Sequence, residues 1–209
     1  MKQTLRKKFP SELRFDLVSK AWVVIATGRA KRPEAFSQEQ RKENREKWEA
    51  EEKECPFESL DEKECPTLVY FEGEKIELLS GTNCIPKKWT TVSIPNKYPA
   101  FSPQASSWTR LAGPYQVMDG VGFHEVIITK EHKKDIPQFT VKQVKELIDV
   151  YHSRYLDLKD KEHVNYISIF KNKGPRAGAT VPHPHSQLIA IPVTDPDIER
   201  SLAGSLEFA

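Results

Sequence analysis

The sequence has little of what disulfide-rich, membrane-spanning and polyanion-binding proteins depend on. Its 209 residues include only three cysteines, too few and odd in number for a disulfide scaffold. The longest apolar runs, Trp22–Ala26 and residues 188–193, fall far short of the roughly 18–20 residues that span a bilayer. The 32 basic residues nearly balance the 30 acidic ones, so no general affinity for nucleic acid is expected. These absences predict a cytoplasmic protein in a reducing compartment, with neither a membrane nor a nucleic acid as partner.

Aromatic residues are plentiful enough to build a core, with ten Phe, six Tyr and four Trp. The length suits one large domain or two small ones. Residues 1–12 are predicted to form a basic lead-in, and residues 13–209 a single domain. An almost wholly charged insert at about 37–54 interrupts this domain, because no apolar stripe is present there to dock it.

Short runs of β-branched and aromatic residues predict strands at 13–19, 22–27, 69–71, 90–94, 122–129, 164–170 and 187–191. Thr140 is a predicted helix cap, and the helix runs to about Leu158. Its predicted buried face carries apolar residues three or four apart: Val141, Val144, Leu147, Ile148, Tyr151 and Tyr155. Asp195 is expected to cap a last helix through Leu202. Mixed strands with one long helix predict an α+β fold.

The chemically richest stretch is residues 172–187. A glycine-containing loop, which lets backbone N–H groups approach an anion, leads into His183-Pro-His185-Ser-Gln187. Residues two apart in an extended segment share a face, so His183, His185 and Gln187 are predicted to converge. This pattern favours a reactive phosphate site over a surface loop with incidental histidines.

Residues 172–187 resemble the signature of the galactose-1-phosphate uridylyltransferase branch of the histidine-triad superfamily, which carries His-Pro-His-x-Gln. Three further segments are similar to that family: Gly28-Arg-Ala-Lys-Arg-Pro33, Pro95-Asn-Lys-Tyr-Pro-Ala-Phe101, and the strand Gly122-Phe-His-Glu that leads to His132. The resemblance covers about residues 12–204. It implies a histidine-triad-like antiparallel sheet with one long helix and a short C-terminal helix. The family has two such halves, and this chain matches the first. A homodimer is one hypothesis for how a single half would be completed.

The resemblance implies a double displacement between a nucleoside diphosphate sugar and a sugar 1-phosphate, with no organic cofactor. His185 would be the nucleophile at the α-phosphorus, and Gln187 would donate to a phosphate oxygen. A backbone carbonyl near His183 or Pro184 would hold the other ring nitrogen of the nucleophile. The residues expected to bind the nucleotide are Arg29, Arg32, Asn96, Asn172, Gly178, Ala179 and Thr180.

The resemblance also implies a structural zinc site. Many family members use Cys-x-x-Cys and two histidines, whereas this chain has Glu58 in place of the second cysteine. The implied ligands are Cys55, Glu58, His132 and His183, a set that suits tetrahedral zinc. Two alternatives stay open: Cys65 or Cys84 replaces a ligand, or the site is degenerate and Cys55 is a small buried apolar residue. His124, in the middle of its strand, is expected to be structural.

The nucleotide is less defined than the reaction. Ser186 stands where the best-known uridylyl enzymes have glycine, while adenylyl-transferring relatives of the ADP-glucose phosphorylase type have serine. Uridylyl transfer is the first hypothesis, and adenylyl transfer to phosphate is the alternative. A non-catalytic nucleotide-binding relic is a third hypothesis from a different class. A histidine-triad hydrolase is disfavoured because Gln187 occupies the last triad position.

Overall fold

A computed structural model of the protein describes residues 11–26, 55–58, 60, 65–78, 85–179 and 181–208. Two helices lie within these ranges, α1 at Val141–Leu158 and α2 at Pro196–Phe208. The strands of the described residues are β1 Ser11–Phe15, β2 Trp22–Ala26, β3 Leu68–Phe71, β4 Glu74–Ile76, β5 Thr91–Pro95, β6 Arg110–Ala112, β7 Tyr115–Asp119, β8 Phe123–Thr129, β9 Tyr166–Phe170 and β10 His185–Ile191.

The strands form two sheets whose neighbouring strands are all antiparallel. The larger sheet has the order β4-β3-β5-β8-β10-β9, and the smaller has the order β2-β1-β7-β6. Strands β8 and β10 lie at the centre of the larger sheet, paired from His185 opposite Ile128 to Ala190 opposite Phe123. The predicted α+β class, with one long and one shorter helix, is confirmed.

All seven predicted strands are present, with small shifts at their ends. β1 begins at Ser11, inside the predicted lead-in, because Ser11 and Glu12 pair with Ala26 and Ile25 of β2. The rest of the lead-in and the charged insert at 37–54 lie outside the described residues.

Three strands were missed: β4, β6 and β7. β3 and β4 are joined by Glu72 and Gly73, both at positive φ (50° and 92°). A two-residue turn of this kind is usually signalled by Asn-Gly or Asp-Gly, and Glu-Gly gives a weaker signal. The β6–β7 turn contains Gly113-Pro114, and both strands are short and exposed at the end next to the turn, whereas Val117 and Met118 of β7 are buried.

Helix α1 begins as predicted but buries a different face. The Thr140 side chain accepts from the Gln143 N–H, and Gln143 reaches back to the Thr140 N–H, so the first turn is fully capped. Val141, Ile148 and Tyr155, predicted to be buried, are exposed. Leu147 is buried as predicted, and Tyr151 is partly buried against the same core cluster. Glu146, Val150, Arg154 and Leu158 are buried as well. The buried face is thus shifted from the predicted one, because the sheet beneath the helix offers polar partners to Glu146 and Arg154.

Helix α2 is longer than predicted. The Asp195 side chain accepts from the Asp197 N–H, which caps the helix as expected, but the helix continues to Phe208 rather than ending at Leu202. No residue of α2 is buried. Neither helix in the described part of the chain is long and apolar enough to cross a membrane.

The core consists of three apolar clusters around the larger sheet. One, including Leu147, Val150 and Leu188, lies between α1 and the sheet. A second, including Val92 and Ile128, lies on the opposite face and is covered by the segments around Phe57 and Ile85. A third, including Leu13 and Met118, joins the smaller sheet to the ends of β9 and β10. The larger sheet is therefore covered on one face by α1 and on the other by loops.

A buried ion pair joins α1 to the sheet. The Arg154 Nη2 atom lies 2.6 Å from Glu125 Oε1, and the two side chains are only 8% and 4% exposed. The Ser93 and Thr67 hydroxyls also donate to Glu125. Because removing one partner leaves a charge unpaired away from water, this pair fixes the position of the helix on the sheet.

We expect Arg154→Met to lower the free energy of unfolding by about 3–5 kcal/mol, because Glu125 is left as a buried, unpaired carboxylate. Urea unfolding followed by circular dichroism measures the loss. The double change Arg154→Met with Glu125→Gln should recover much of it. Arg200→Met is the control, since its pair with Asp197 is exposed. A loss below about 1 kcal/mol for Arg154→Met would contradict the role given to this pair.

Candidate functional site

Strand β10 presents alternate residues to opposite faces of the larger sheet. Ser186 and Leu188 face α1: the Ser186 Oγ lies 2.5 Å from the Tyr151 Oη, and Leu188 packs in the helix-side cluster. His185 and Gln187 therefore face the other way. On β8, His124 shares that second face, two residues from Val126, which pairs with Gln187. The candidate site lies on the sheet face opposite the long helix.

A backbone carbonyl fixes the proton of the His185 ring. The His185 Nδ1 atom lies 2.8 Å from the His183 carbonyl oxygen. A carbonyl only accepts, so Nδ1 carries the proton and Nε2 of the neutral ring carries the lone pair. The Phe57 ring packs edge-on against the imidazole, with centroids 5.1 Å apart. The ring is half-buried, held at one nitrogen and nucleophilic at the other.

Gln187 belongs to a buried polar cluster with His124 and Asn96. The His124 Nε2 atom lies 2.9 Å from Gln187 Oε1 and 3.2 Å from Asn96 Nδ2. The Ala100 N–H donates to His124 Nδ1 at 3.0 Å, and the Tyr98 N–H donates to Asn96 Oδ1 at 2.9 Å. Two amide side chains are thus oriented around one imidazole, beside the strand that carries His185.

A second cluster contains the four implied metal ligands. The ligand atoms of Cys55, His132 and His183 lie within 4.8 Å of one another. The Glu58 Oε1 atom lies 3.2 Å from His132 Nδ1 and 3.3 Å from His183 Nδ1. Cys55 and His183 are almost completely buried, at 3% and 1% exposure. One thiol, one carboxylate and two imidazoles at this spacing could hold a metal ion.

The tautomer of His183 fits a cation at this cluster. Its Nε2 atom lies 2.7 Å from the Thr129 carbonyl oxygen, so Nε2 carries the proton. The Nδ1 lone pair then faces the Glu58 carboxylate and the Cys55 Sγ, which lies 3.7 Å away. Three electron-rich atoms directed at one another favour a positive charge between them, and a metal ion or a proton supplies it.

Burial shifts the pKa of two of these groups towards their neutral forms. Desolvation lowers the pKa of the His183 ring, although the Thr129 carbonyl opposes the effect. Desolvation also raises the pKa of the Cys55 thiol. Histidine in its neutral form is ready to ligate, whereas the thiol must lose its proton to a metal.

The two clusters correct one sequence expectation. His183, His185 and Gln187 were predicted to converge on one spot. The His183 ring instead joins Cys55, Glu58 and His132, while Gln187 joins His124 and Asn96. His183 still acts on His185 through its backbone carbonyl. Pro184 lies between the two histidines and precedes the start of β10, so strand alternation does not extend to His183.

Comparisons with known proteins identify the family of the chain. Residues 2–194 match the family model described as galactose-1-phosphate uridyl transferase, N-terminal domain. This chain belongs to that family. It is 30% identical to ADP-glucose phosphorylase of Arabidopsis thaliana over 94% of this chain and 53% of the relative. It is 28% identical to galactose-1-phosphate uridylyltransferase of Thermotoga maritima over 90% of this chain and 49% of the relative.

Among solved structures, the chain is similar to an ADP-glucose phosphorylase from Arabidopsis thaliana with bound ADP-glucose. The TM-score is 0.56 at 27% identity, and the match covers 95% of this chain and 54% of that one. The chain spans about half the length of the curated relatives it matches.

The family's predicted nucleotide-binding residues are only partly described. Arg29, Arg32 and Thr180 lie outside the described residues, as does Cys84. Asn172 and Gly178 are exposed in the loop after β9, while Ala179 is buried and its N–H bonds the Gly174 carbonyl. Gly178 has a φ of +79°, a conformation that favours glycine. Cys65 is exposed, and the metal cluster of the described residues contains Cys55 instead.

Three functional contacts were missed from the sequence. They are the His124–Gln187 hydrogen bond, the Tyr151–Ser186 hydrogen bond, and the link from Asp135 to the loop after β9. Strand alternation and the register of β8 and β10 place His124 beside Gln187 and turn Ser186 towards α1, which carries Tyr151. The register depends on pairing between segments about 60 residues apart, which local patterns do not encode.

Asp135 ties the segment that carries His132 to the loop that carries Asn172. Its carboxylate accepts from Lys171 and, at 3.1 Å, from Lys173. Burial raises the pKa of this carboxyl, but the hydrogen bonds from Lys171, the Ile136 N–H and Lys173 outweigh burial and lower the pKa to about 2. The two lysines flank Asn172, so the ion pairs fix the base of the loop.

The lowered pKa gives a testable pH dependence. A carboxyl with a lower pKa in the folded chain stabilises the fold above its ordinary pKa of 3.8, and the contribution is lost as the pH falls through about 2. We expect Asp135→Asn to lower the free energy of unfolding by about 2 kcal/mol at pH 7. Urea unfolding of both proteins between pH 7 and 2 should show the difference shrinking towards zero. Asp149→Asn, at an exposed pair with Lys145, is the control. A difference independent of pH would contradict this assignment.

Proposed function

We propose that this chain transfers a nucleotidyl group from a nucleoside diphosphate sugar to a sugar 1-phosphate through a covalent bond to His185. The observation that supports this best is the hydrogen bond between His185 Nδ1 and the His183 carbonyl. It leaves the Nε2 lone pair as the only nucleophilic position on the ring. Family membership and the predicted motif support the same reaction.

In the first step, His185 Nε2 attacks the α-phosphorus and a P–N bond forms. The bond from that phosphorus to the bridging oxygen breaks, and the sugar 1-phosphate leaves with the electron pair. The ring becomes a cation, and its Nδ1–H donates to the His183 carbonyl, which disperses the charge. In the second step, a phosphate oxygen of the acceptor sugar 1-phosphate attacks the same phosphorus. The P–N bond breaks, and the neutral imidazole is restored.

Other residues would bind and polarise the transferred phosphate. Gln187 would donate its amide N–H to a phosphate oxygen as negative charge develops. Asn96 would contact the nucleoside, and the loop of Asn172, Gly178 and Ala179 would surround the α-phosphate. Arg29, Arg32 and Thr180 are predicted to complete the phosphate site, the arginines by paired hydrogen bonds.

Uridine and adenosine nucleotides are both candidates for the transferred group, and the side chain of Ser186 does not distinguish between them. Its hydroxyl bonds Tyr151 on the helix face, away from His185, so it has no contact through which to recognise a base. Uridylyl transfer is the first proposal, and the similarity to ADP-glucose phosphorylase over 94% of the chain favours adenylyl transfer as the second candidate. Both share the covalent step at His185.

The covalent step can be detected directly by intact-mass analysis after incubation with UDP-glucose or ADP-glucose. We expect one nucleoside monophosphoryl adduct, with the mass identifying the nucleotide. His185→Asn should form none, because asparagine can still donate to the His183 carbonyl but offers no nucleophile. His152→Asn, an exposed histidine on α1, is the matched control and should form the adduct.

An adduct on His185→Asn would refute the nucleophile. No adduct on the unchanged chain with either nucleotide sugar would refute transfer by this chain and favour a nucleotide-binding relic. Native mass of the same samples tests whether the chain forms the proposed homodimer. The cytoplasmic location stays a prediction.

Zinc is the metal we propose for the cluster of Cys55, Glu58, His132 and His183. A thiolate, a carboxylate and two imidazoles are all zinc ligands, and the set has the tetrahedral number. When bound, the ion would join three separate segments of the chain and neutralise the Cys55 thiolate. Its role would be structural. By holding the His183 ring, the ion would also hold in place the His183 carbonyl, which orients His185.

We expect chelation to lower the midpoint of thermal unfolding by about 5–10 °C, as expected for a ligand present at about 100 times its dissociation constant in a domain of this size. Glu58→Cys should hold zinc more tightly against the chelator, because it restores a second thiolate. Cys55→Ser should lose zinc, and Cys65→Ser, at an exposed site, should retain it. Metal content by elemental analysis and differential scanning fluorimetry provide the readouts. A midpoint unaffected by both zinc and chelator would contradict the proposed site.

A further inference from the structure

His124 is a buried polar residue that the reaction above does not use. It is 6% exposed and lies in the middle of the central strand β8. Both of its ring nitrogens have hydrogen-bond partners, and one partner is the side chain of Gln187. From the sequence alone, His124 was expected to be structural.

The backbone determines which nitrogen of His124 carries the proton. The Ala100 N–H lies 3.0 Å from Nδ1 and can only donate, so Nδ1 accepts. The neutral ring therefore carries its proton on Nε2. That Nε2–H lies 2.9 Å from Gln187 Oε1, which accepts it.

The same logic fixes both neighbouring amides. With Oε1 bonded to His124, the Gln187 carboxamide turns its NH₂ group away from the ring. Asn96 is held by the Tyr98 N–H at its Oδ1, so its NH₂ group is the end near His124, 3.2 Å from Nε2. Since His124 Nε2 carries a proton, the neighbouring Asn96 NH₂ group cannot donate to it.

We propose that His124 is a positioning residue that keeps Gln187 in the orientation required for nucleotidyl transfer. This inference rests on the proposed function, in which Gln187 donates to the transferred phosphate. An amide without a fixed partner has two orientations of nearly equal shape, and in the wrong one its oxygen faces a phosphate oxygen. The His124 Nε2–H can donate only to an oxygen. It therefore stabilises the orientation in which Gln187 Oε1 faces the ring and the Gln187 NH₂ group is left to donate to the phosphate.

Two substitutions separate this role from a purely structural one. In His124→Asn, the side-chain oxygen can reach the position of Nδ1 and accept from the Ala100 N–H, but the donor to Gln187 is lost. In His124→Gln, the longer side chain can place an N–H near the position of Nε2, but the acceptor for Ala100 is lost. A purely structural role predicts that the variants rank in the same order by activity and by stability. The positioning role predicts that these two rankings differ.

The experiment measures the rate of adduct formation on His185 under single-turnover conditions, with the unfolding midpoint of each variant. We expect adduct formation to be about tenfold slower in His124→Asn. The half-saturating nucleotide-sugar concentration should not change, because the Gln187 N–H that His124 orients donates to negative charge that develops during the reaction. His124→Gln should react several times faster than His124→Asn while being no more stable. Gln187→Ala should be slowed more, by about a hundredfold.

A double-mutant cycle tests whether the effect of His124 on the rate passes through Gln187. If His124 acts through Gln187, His124→Asn should cause no further slowing in the Gln187→Ala background. Multiplicative slowing would overturn the proposal, as would rates that simply follow the unfolding midpoints.

A second measurement does not depend on activity. The imidazole ¹⁵N signals of His124 in a long-range ¹H–¹⁵N spectrum report its tautomer, and we expect the Nε2-protonated form in the unchanged protein. An Nδ1-protonated ring would overturn the proposal even if the enzyme is active. An Nε2-protonated ring in a protein that forms no adduct would instead show that the transfer reaction, and not the hydrogen-bond arrangement, is wrong.

Discussion

The antiparallel pairing of β8 with β10 is the constraint on which the site depends. Because Gln187 lies opposite Val126, it is a diagonal neighbour of His124 on one face, while Ser186 and Glu125 face the helix. A shift of one residue would exchange the two faces and place His185 and Gln187 against α1. The polar anchors on the helix side, from Glu125 to Arg154 and from Ser186 to Tyr151, would be lost in that shift, so they help to specify the register.

His183 connects the cluster of candidate metal ligands to His185, the proposed nucleophile. Its ring donates to the Thr129 carbonyl and presents Nδ1 to Cys55 and Glu58, while its own carbonyl accepts a hydrogen bond from His185 Nδ1–H. Any ion that holds the ring also holds this carbonyl. A metal ion at this cluster would therefore help to fix the tautomer of His185 that the proposed reaction requires.

Local signals in the sequence predicted the central strands and the capped start of α1, since each depends on nearby residues. Cys55, Glu58, His132 and His183 were grouped by the family resemblance and not by a local pattern, and their side chains lie close together. The local signals failed where contacts with residues distant in the sequence determine which side chains are buried. The buried face of α1 contains Glu146 because Thr90, Thr91 and the Gly73 N–H donate to it from the sheet, and it contains Arg154 because Glu125 lies below. Ser186 was given weight as a marker of the nucleotide, and only the register showed that it faces the helix.

Strand β8 contributes side chains to both faces of the larger sheet, with polar contacts on each. This explains why its sequence is polar for a central strand. Val126 and Ile128 pack under the loop that carries Phe57, beside His124, whereas Glu125, Ile127 and Thr129 contact or face the helix layer. One cavity of about 660 Å³ lies on that helix side, lined by Thr91, Thr129 and Glu146, and those predicted nucleotide-binding and metal residues that the structure describes do not line it. The face that carries His185 and Gln187 is the opposite one, where His124 and Gln187 are buried, at 6% and 9% exposure. On that face a directional hydrogen bond from the His124 ring holds the Gln187 side chain in one orientation.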